Sequence, residues 1–373
     1  MHLYFCILHL IHDELPMKLL TIFLLIVFSL SSCINNSGTG SSGTPTKDAF
    51  GDANHVVIVC EQELWESPLG DSINYYFGSA YPILPQPEPM FDIRHMTYSD
   101  VIGYSVRREL RNYIFIADMS DIETAPRNFL NEIVGEERLK EHLQFSKVSN
   151  LITRNQWARN QQLFYILGND LTDLHTRIRT SFPGIAKQIR DFDQNKIKAT
   201  VYAAGKSNTL SQQVEQRFQI KMDIPNDWVL ASIKSGGYWF RKESEKSSSN
   251  IILSKLPYRN TTQMSANGIK SIRDTLSRTF IRTDSPGDYM EINDRDLPMF
   301  IYQKTVDSNY GIEARGVWET KLEFMGGPFQ TYLIQTPAKD SLLYLDVFIY
   351  APEMEKRDLM QQLEEIVRTL HFQ

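Results

Sequence analysis

Glu61, Glu63, Glu88, Glu319 and Glu323 lie close in the chain to Trp65, Phe91, Trp318 and Phe324. Carboxylates beside aromatic rings are the parts of sites that hold a sugar and cleave it between two acidic groups. That chemistry needs the carboxyl groups roughly 5–9 Å apart, a distance that spacing along the chain does not set. The same neighbours also arise on any half-buried strand, so glycan hydrolysis is the minor reading.

Other catalytic constellations are incomplete. His55, His95, His142, His175 and His371 form neither a HExxH nor a close ligand pair, and there is no CxxC. No metal or cofactor is therefore expected. There is no GxSxG elbow and no SxxK. Gly205-Lys206-Ser207 ends like a phosphate loop, but Thr200 stands where that loop needs glycine. Cys60 closes the apolar run Val56 to Val59 and reads as a buried thiol. No catalytic residue is assigned.

Binding candidates are better defined. On a strand, Arg315, Val317 and Glu319 share one face, and Gly316, Trp318 and Thr320 the other. Gly326-Gly327-Pro328 then predicts a tight turn at positive φ, leading into Phe329. One reading makes this a rim where Arg315 and Glu319 meet a partner beside Trp318. The other, which is favoured, is a hairpin with Trp318 in the core and Arg315 paired to Glu319 for register. A second candidate surface is the proline-dense stretch from Tyr81 to Phe91, which includes Glu88. Prolines keep it extended, so it is either read by a partner at low entropic cost or serves as a rigid crossover.

The elements that must position these residues fall into two groups. From His55 to about residue 207, apolar strands alternate with helices: Val56–Val59, Phe91–His95, Tyr113–Ala117 and Leu163–Leu167 as strands, Ser67–Phe77, Tyr98–Arg108 and Pro126–Leu143 as helices. Asn169 is expected to cap a long helix broken near Pro183, and Lys196–Ala203 alternates like a half-exposed strand. This half reads as an α/β sandwich. The segments from His55 and from Gln161 share an order of strand, turn and helix, which hints at duplication. From residue 208, with Asn208 capping a short helix, strand-like runs dominate. A helix near Met264–Phe280 interrupts them, and a closing helix opened by Pro352 carries Leu359, Leu363, Ile366 and Leu370 on one face. This half reads as an antiparallel sheet covered on one side by helices, and the whole chain as α+β.

The start of the chain gives an address. Met17 to Cys33, MKLLTIFLLIVFSLSSC, has a cationic start, an apolar middle and a small-residue end, as an export signal does. Leu30-Ser31-Ser32-Cys33 is similar to a bacterial lipobox, which would make Cys33 the lipidated residue and residues 1–32 a leader. Asp13 and Glu14 fit such a signal badly, which makes Met17 the expected start. The alternative is an uncut anchor, but the apolar run is shorter than the roughly 20 residues a spanning helix needs. Residues 33–54, rich in Ser, Gly, Asn and Thr, are expected to be a flexible tether. With 39 basic and 45 acidic residues, a net charge of −6, there is no electrostatic footprint for nucleic acid. Cysteine is too scarce after the leader for an internal disulfide.

Several phrases carry a resemblance. Arg315-Gly-Val-Trp318-Glu319, Met325-Gly-Gly-Pro-Phe329, Tyr350-Ala-Pro352 followed by Lys356-Arg357, and Pro286-Gly-Asp-Tyr-Met290 resemble a Bacteroidetes cell-envelope lipoprotein family known as domain of unknown function 4837. Trp65, Glu88 to Phe91 and Arg111-Asn112 resemble its N-terminal half. The resemblance implies an envelope setting and brings no catalytic residue. A curved antiparallel sheet with a closing helix also resembles the Mog1/PsbP fold. The expectation is a lipid-anchored protein on the periplasmic side of the outer membrane, with a binding or assembly role and a protein or glycan partner. The candidate binding residues are Arg315, Trp318, Glu319, Gly326, Gly327, Phe329, Glu88, Phe91 and Trp65.

Overall fold

Apolar runs that do not alternate must be buried on both faces, as those of β1 (His55–Val59), β3 (Asn112–Asp118) and β5 (Gln162–Gly168) are. The computed structural model describes residues 47–144 and 151–373. The leader, Cys33 and the tether up to residue 46 lie outside the described residues.

Between β1 and β3 come α1 (Gln62–Trp65), α2 (Pro68–Phe77), β2 (Asp92–Met96) and α3 (Tyr98–Gly103). Ser67 caps α2, its hydroxyl accepting from Leu69 N at 3.1 Å, and Pro68 holds the first helical position, where no N–H is needed. Thr97 and Asp100 close a capping box on α3, which ends at Gly103 before a 3-10 turn over Ser105–Arg108. After β3, the helical stretch is two helices, α4 (Thr124–Val134) and α5 (Glu136–Gln144), separated by Gly135 at φ +94°. β4 (Leu151–Arg154) precedes β5, and α6 (Leu171–Val201) follows it. The strand order is β2-β1-β3-β5-β4, parallel except for β4. Val57, Val59, Phe115 and Tyr165 face α3, α4 and α5, while Ile58, Ile114, Ile116 and Phe164 face α2 and α6.

The long helix differs from expectation in three ways. Its cap is Asp170, which accepts from Thr172 N and Asp173 N at 2.9 and 2.8 Å, not Asn169. It runs straight through Pro183, at a cost of about 3 kcal/mol, because Leu174, Ile178, Ile185 and Ile189 on both sides are buried against the sheet. Lys196–Ala203 is not a strand: most of it is the end of this helix. Ile185, Ile189, Asp193, Ile197 and Val201 recur every four residues, and that period overrides the short alternation.

Residues 47–54, assigned above to the tether, are bound to this half. Ala49 N donates to Arg159 O, Phe50 N to Glu109 O, and Asp48 takes both arms of Arg159 at 3.0 Å. Backbone pairing and a bidentate ion pair outweigh the polar composition of the segment.

Ser207, not Asn208, caps α7 (Asn208–Phe218). β6 (Ile220–Lys221) leads to the antiparallel strands β7 (Val229–Lys234), β8 (Gly237–Glu243) and β9 (Ser248–Pro257). Next are α8 (Ala266–Phe280), β10 (Met290–Asn293), β11 (Phe300–Val306), β12 (Asn309–Thr320), β13 (Gly326–Gln335) and β14 (Ser341–Tyr350). The chain closes with α9 (Arg357–Val367) and β15 (His371–Phe372), which pairs with β6. The sheet order is β10-β12-β13-β14-β9-β8-β7, with β11 beside β10 on the same side of β12. Both faces are covered, not one. Phe240, Leu253, Leu345 and Val347 pack with Met360, Leu363 and Ile366 of α9, and Ile252, Tyr344 and Phe348 with Ile269 and Leu276 of α8.

The closing helix begins at Arg357, five residues later than Pro352 suggests, because its cap comes from the other half. Both oxygens of Glu88 accept backbone N–H bonds from Lys356 and Arg357, at 2.6–2.8 Å. Arg357 returns the link, gripping Asp92 with two nitrogens at 3.0 and 2.7 Å and donating to Pro89 O. Asn54, 1% exposed, joins Asp193 of α6 to Asp358 and Gln361 of α9. The two sheets thus share α9, and residues 45–373 form one compact unit.

Candidate binding clefts

β12 is long enough to have two neighbours on one side, and its alternation fixes the site. Trp318 and Gly316 point to the α8 face, and Arg315, Val317 and Glu319 to the α9 face. Trp318 is 2% exposed, packs edge-on to Phe348 at 5.8 Å, and donates its indole N–H to Ile349 O at 3.2 Å. Gly326 and Gly327 do not form the turn. Both lie in β13 opposite Glu319 and Trp318, and neither has positive φ. They are glycines for clearance: a Cβ on Gly327 would collide with Ile349 O, and one on Gly326 would come within 2.8 Å of Trp318 O. The turn is instead the loop Lys321–Met325. Phe329 is buried beneath Gly316, with the Arg273 guanidinium 3.8 Å from its ring centre.

Arg315 and Glu319 do not pair. They are four residues apart on one face, and each has a nearer partner. Arg315 bonds Glu313 and Glu364, the latter at 2.8 Å. Burial alone would lower its basicity, but Glu364, Tyr81 and Glu313 more than offset that and hold its pKa above the usual arginine value. Glu319 is held by Arg295 and by Asn293 Nδ2 at 2.8 Å.

Two clefts flank the loop. The smaller, about 310 Å³, opens where α8 ends and leaves the sheet face uncovered. Its floor is Trp239, Trp318, Phe348 and Tyr350, with Arg241 and Arg282 at its walls. The Trp239 indole is fixed by Asn250 Oδ1 at 3.0 Å. The larger, about 500 Å³, brings Trp318, Glu319, Gly326 and Gly327 together with Pro85 and Gln86 of the proline segment and with Lys356. Phe324 projects from the loop with 108% relative exposure, and Leu322 with 58%.

The remaining candidates lie elsewhere. Glu88 is buried as the α9 cap, Phe91 is in the N-terminal core, and Trp65 stacks on His95 with ring centres 4.6 Å apart. Glu61 and Glu63 line a third cavity of about 460 Å³, beyond the carboxyl ends of β1 and β3, together with Asp118, Asp121 and Glu123. Burial, then Glu123 and Glu63, raises the Glu61 pKa. Burial, then Glu61, pushes the neighbouring Cys60 thiol up to about 12, so it stays protonated at neutral pH. Among the described residues no cluster of His, Cys, Asp and Glu could hold a metal ion. Sequence reasoning missed Trp239 and Arg241. Their alternation with Tyr238 and Phe240 was the available signal, and what it lacked was where α8 ends.

Residues 207–369 match the model of a family described as a domain of unknown function, DUF4837, and residues 49–202 that of another, DUF8532. The chain carries both domains. The smaller cleft beside Trp318 is in the DUF4837 domain, the larger is lined by that domain and by Pro85 and Gln86 of the DUF8532 domain, and the acidic cavity is in the DUF8532 domain. No curated protein matches the chain. Among solved structures, the Ran-binding protein Mog1p of Saccharomyces cerevisiae is 12% identical, over 41% of this chain and 89% of that one, at a TM-score of 0.27. LpqN of Mycobacterium tuberculosis, described as involved in cell envelope biogenesis, is 16% identical over 41% and 82%, at 0.25. Scores this low carry no argument about what the DUF4837 domain binds.

Proposed function

We propose that this chain is a lipid-anchored binding protein of the cell envelope, held through Cys33 at the periplasmic side of the outer membrane. Its protein partner engages the loop Lys321–Met325 and the two clefts beside it. The observation that carries this reading is Phe324, a fully exposed aromatic at a loop tip, next to the exposed Leu322. The Phe324 ring buries no surface from where it stands, and covering a phenylalanine recovers about 1.5–3 kcal/mol. An apolar tip between two clefts, the smaller floored by fixed aromatics, has the make-up of a binding hot spot. Glu88 and Glu319 are fully engaged in structural bonds, which weighs against an acid pair that cleaves glycans.

A second reading rests on the smaller cleft alone. Trp239 and Tyr350 are partly exposed in its floor, and flat aromatic faces suit the apolar face of a sugar ring. Soluble peptidoglycan fragments whose ring protons shift in the presence of the wild-type chain, but not of Trp239→Ala, would support it.

The main reading is tested by chemical crosslinking of the tagged full chain in its native envelope. Recovery of a specific protein partner is expected to fall at least about tenfold for Phe324→Ser, the loss of about 1.4 kcal/mol. Equal recovery from Phe324→Ser and wild type would overturn it.

A further inference from the structure

The antiparallel sheet is bounded by β7 at one end and by β10 and β11, side by side on β12, at the other, and β7 and β11 are built differently. In β7 the register to β8 breaks between Leu230 and Ser232, a bulge of the kind that blunts an edge against other chains. β11 has no such device. All seven residues, Phe300 to Val306, pair with β12 without a break, and there is no proline within the strand. Among the described residues its outward backbone has no partner in the sheet order, and Phe300 and Tyr302 are each 42% exposed on one face. The one charge, Lys304, lies against Glu313 at 3.0 Å. An unblunted, aromatic, nearly uncharged edge is a template for another strand.

We infer that this edge pairs with a second copy of the same chain, two β11 strands running antiparallel about Gln303. The strand is complementary to itself in one full-length register. That register sets Phe300 opposite Val306, Ile301 opposite Thr305 and Tyr302 opposite Lys304, so an aromatic ring meets a cation across the interface. Centring the pair on Lys304 would oppose two lysines and forfeit pairing at the ends. Pro298 before the strand and the turn at Asp307-Ser308 after it limit the ladder to these seven residues. No residue of β11 lines either cleft beside Trp318, so the pairing leaves both open and does not depend on what they bind.

The test is disulfide trapping in the full chain in its native envelope. Gln303→Cys would face its own copy at the roughly 4.5–5.5 Å Cα separation of opposed antiparallel residues, within reach of a disulfide. The buried Cys60 does not compete. Thr305→Cys would lie four residues out of register with itself, about 14 Å away. A reducible dimer at least tenfold stronger for Gln303→Cys than for Thr305→Cys is expected. Sedimentation of the detergent-solubilised chain gives the second readout: wild type dimeric, and Gln303→Lys, which opposes lysines at the centre, monomeric with an unchanged circular-dichroism spectrum. Equal trapping at both positions, a Gln303→Cys adduct to a different protein, or a Gln303→Lys chain that associates like wild type would each overturn the inference.

Discussion

The carbonyl of Ile349 accepts the Trp318 indole N–H and leaves no room for a side chain at Gly327. A glycine pair next to proline signals a turn in most sequences, which is why the turn was expected there. The signal for close approach lies in a strand 22 positions further on, where local reading cannot reach. Gly327→Ala should therefore cost about 1–3 kcal/mol, read as a lower urea midpoint. It should also redshift Trp318 emission as the indole is displaced. His142 gives a pH-dependent counterpart. Burial first, and the Arg177 guanidinium second, lower its pKa from 6.5 to about 4. Below pH 6.5 the unfolded imidazole takes a proton that the folded one refuses, so stability falls from about pH 6.5 to about pH 4 and levels off beneath. His142→Gln should flatten that part of the stability profile, measured by urea unfolding across the range.

At the scale of elements, buried strands were legible because both of their faces are covered: Val56–Val59, Tyr113–Ala117 and Leu163–Leu167 could be little else. Element ends were less legible. α6 was cut short in the reading because Pro183 and a brief alternation hid a stripe of four-residue spacing that ends at Val201. The start of α9 was placed too early because its cap, Glu88, lies 268 positions before Lys356. That carboxylate answers two otherwise unpaired backbone N–H groups and sits at the positive end of the helix dipole. Glu88→Gln keeps the shape but removes the charge and one acceptor. It should lower stability by about 1–2 kcal/mol, and amide exchange at Lys356 and Arg357 should quicken more than exchange in β14. Unchanged exchange at those amides would contradict the capping role.

For the molecule as a whole, the α+β class followed from the change in pattern near residue 208, from alternating strands and helices to successive strands. The coupling of the halves did not. The proline segment buries Tyr81 and Leu84 in the C-terminal core, lends Glu88 to α9 and brings Pro85 and Gln86 to the larger cleft, all through pairings with distant residues. The candidate site was legible in part. Trp318, Glu319 and the glycines do meet in one cleft, while Phe91 and Trp65 belong to the other half. The central claim is that the loop beside these residues is where the chain meets its partner. A benzophenone photocrosslinker in place of Phe324, in the full chain in its native envelope, tests it most directly, with the exposed Tyr75 of the N-terminal half as control. A single dominant adduct from position 324, absent from position 75 and reduced at least tenfold by Trp239→Ala, is the predicted result. No adduct, or the same adducts from both positions, would contradict the account.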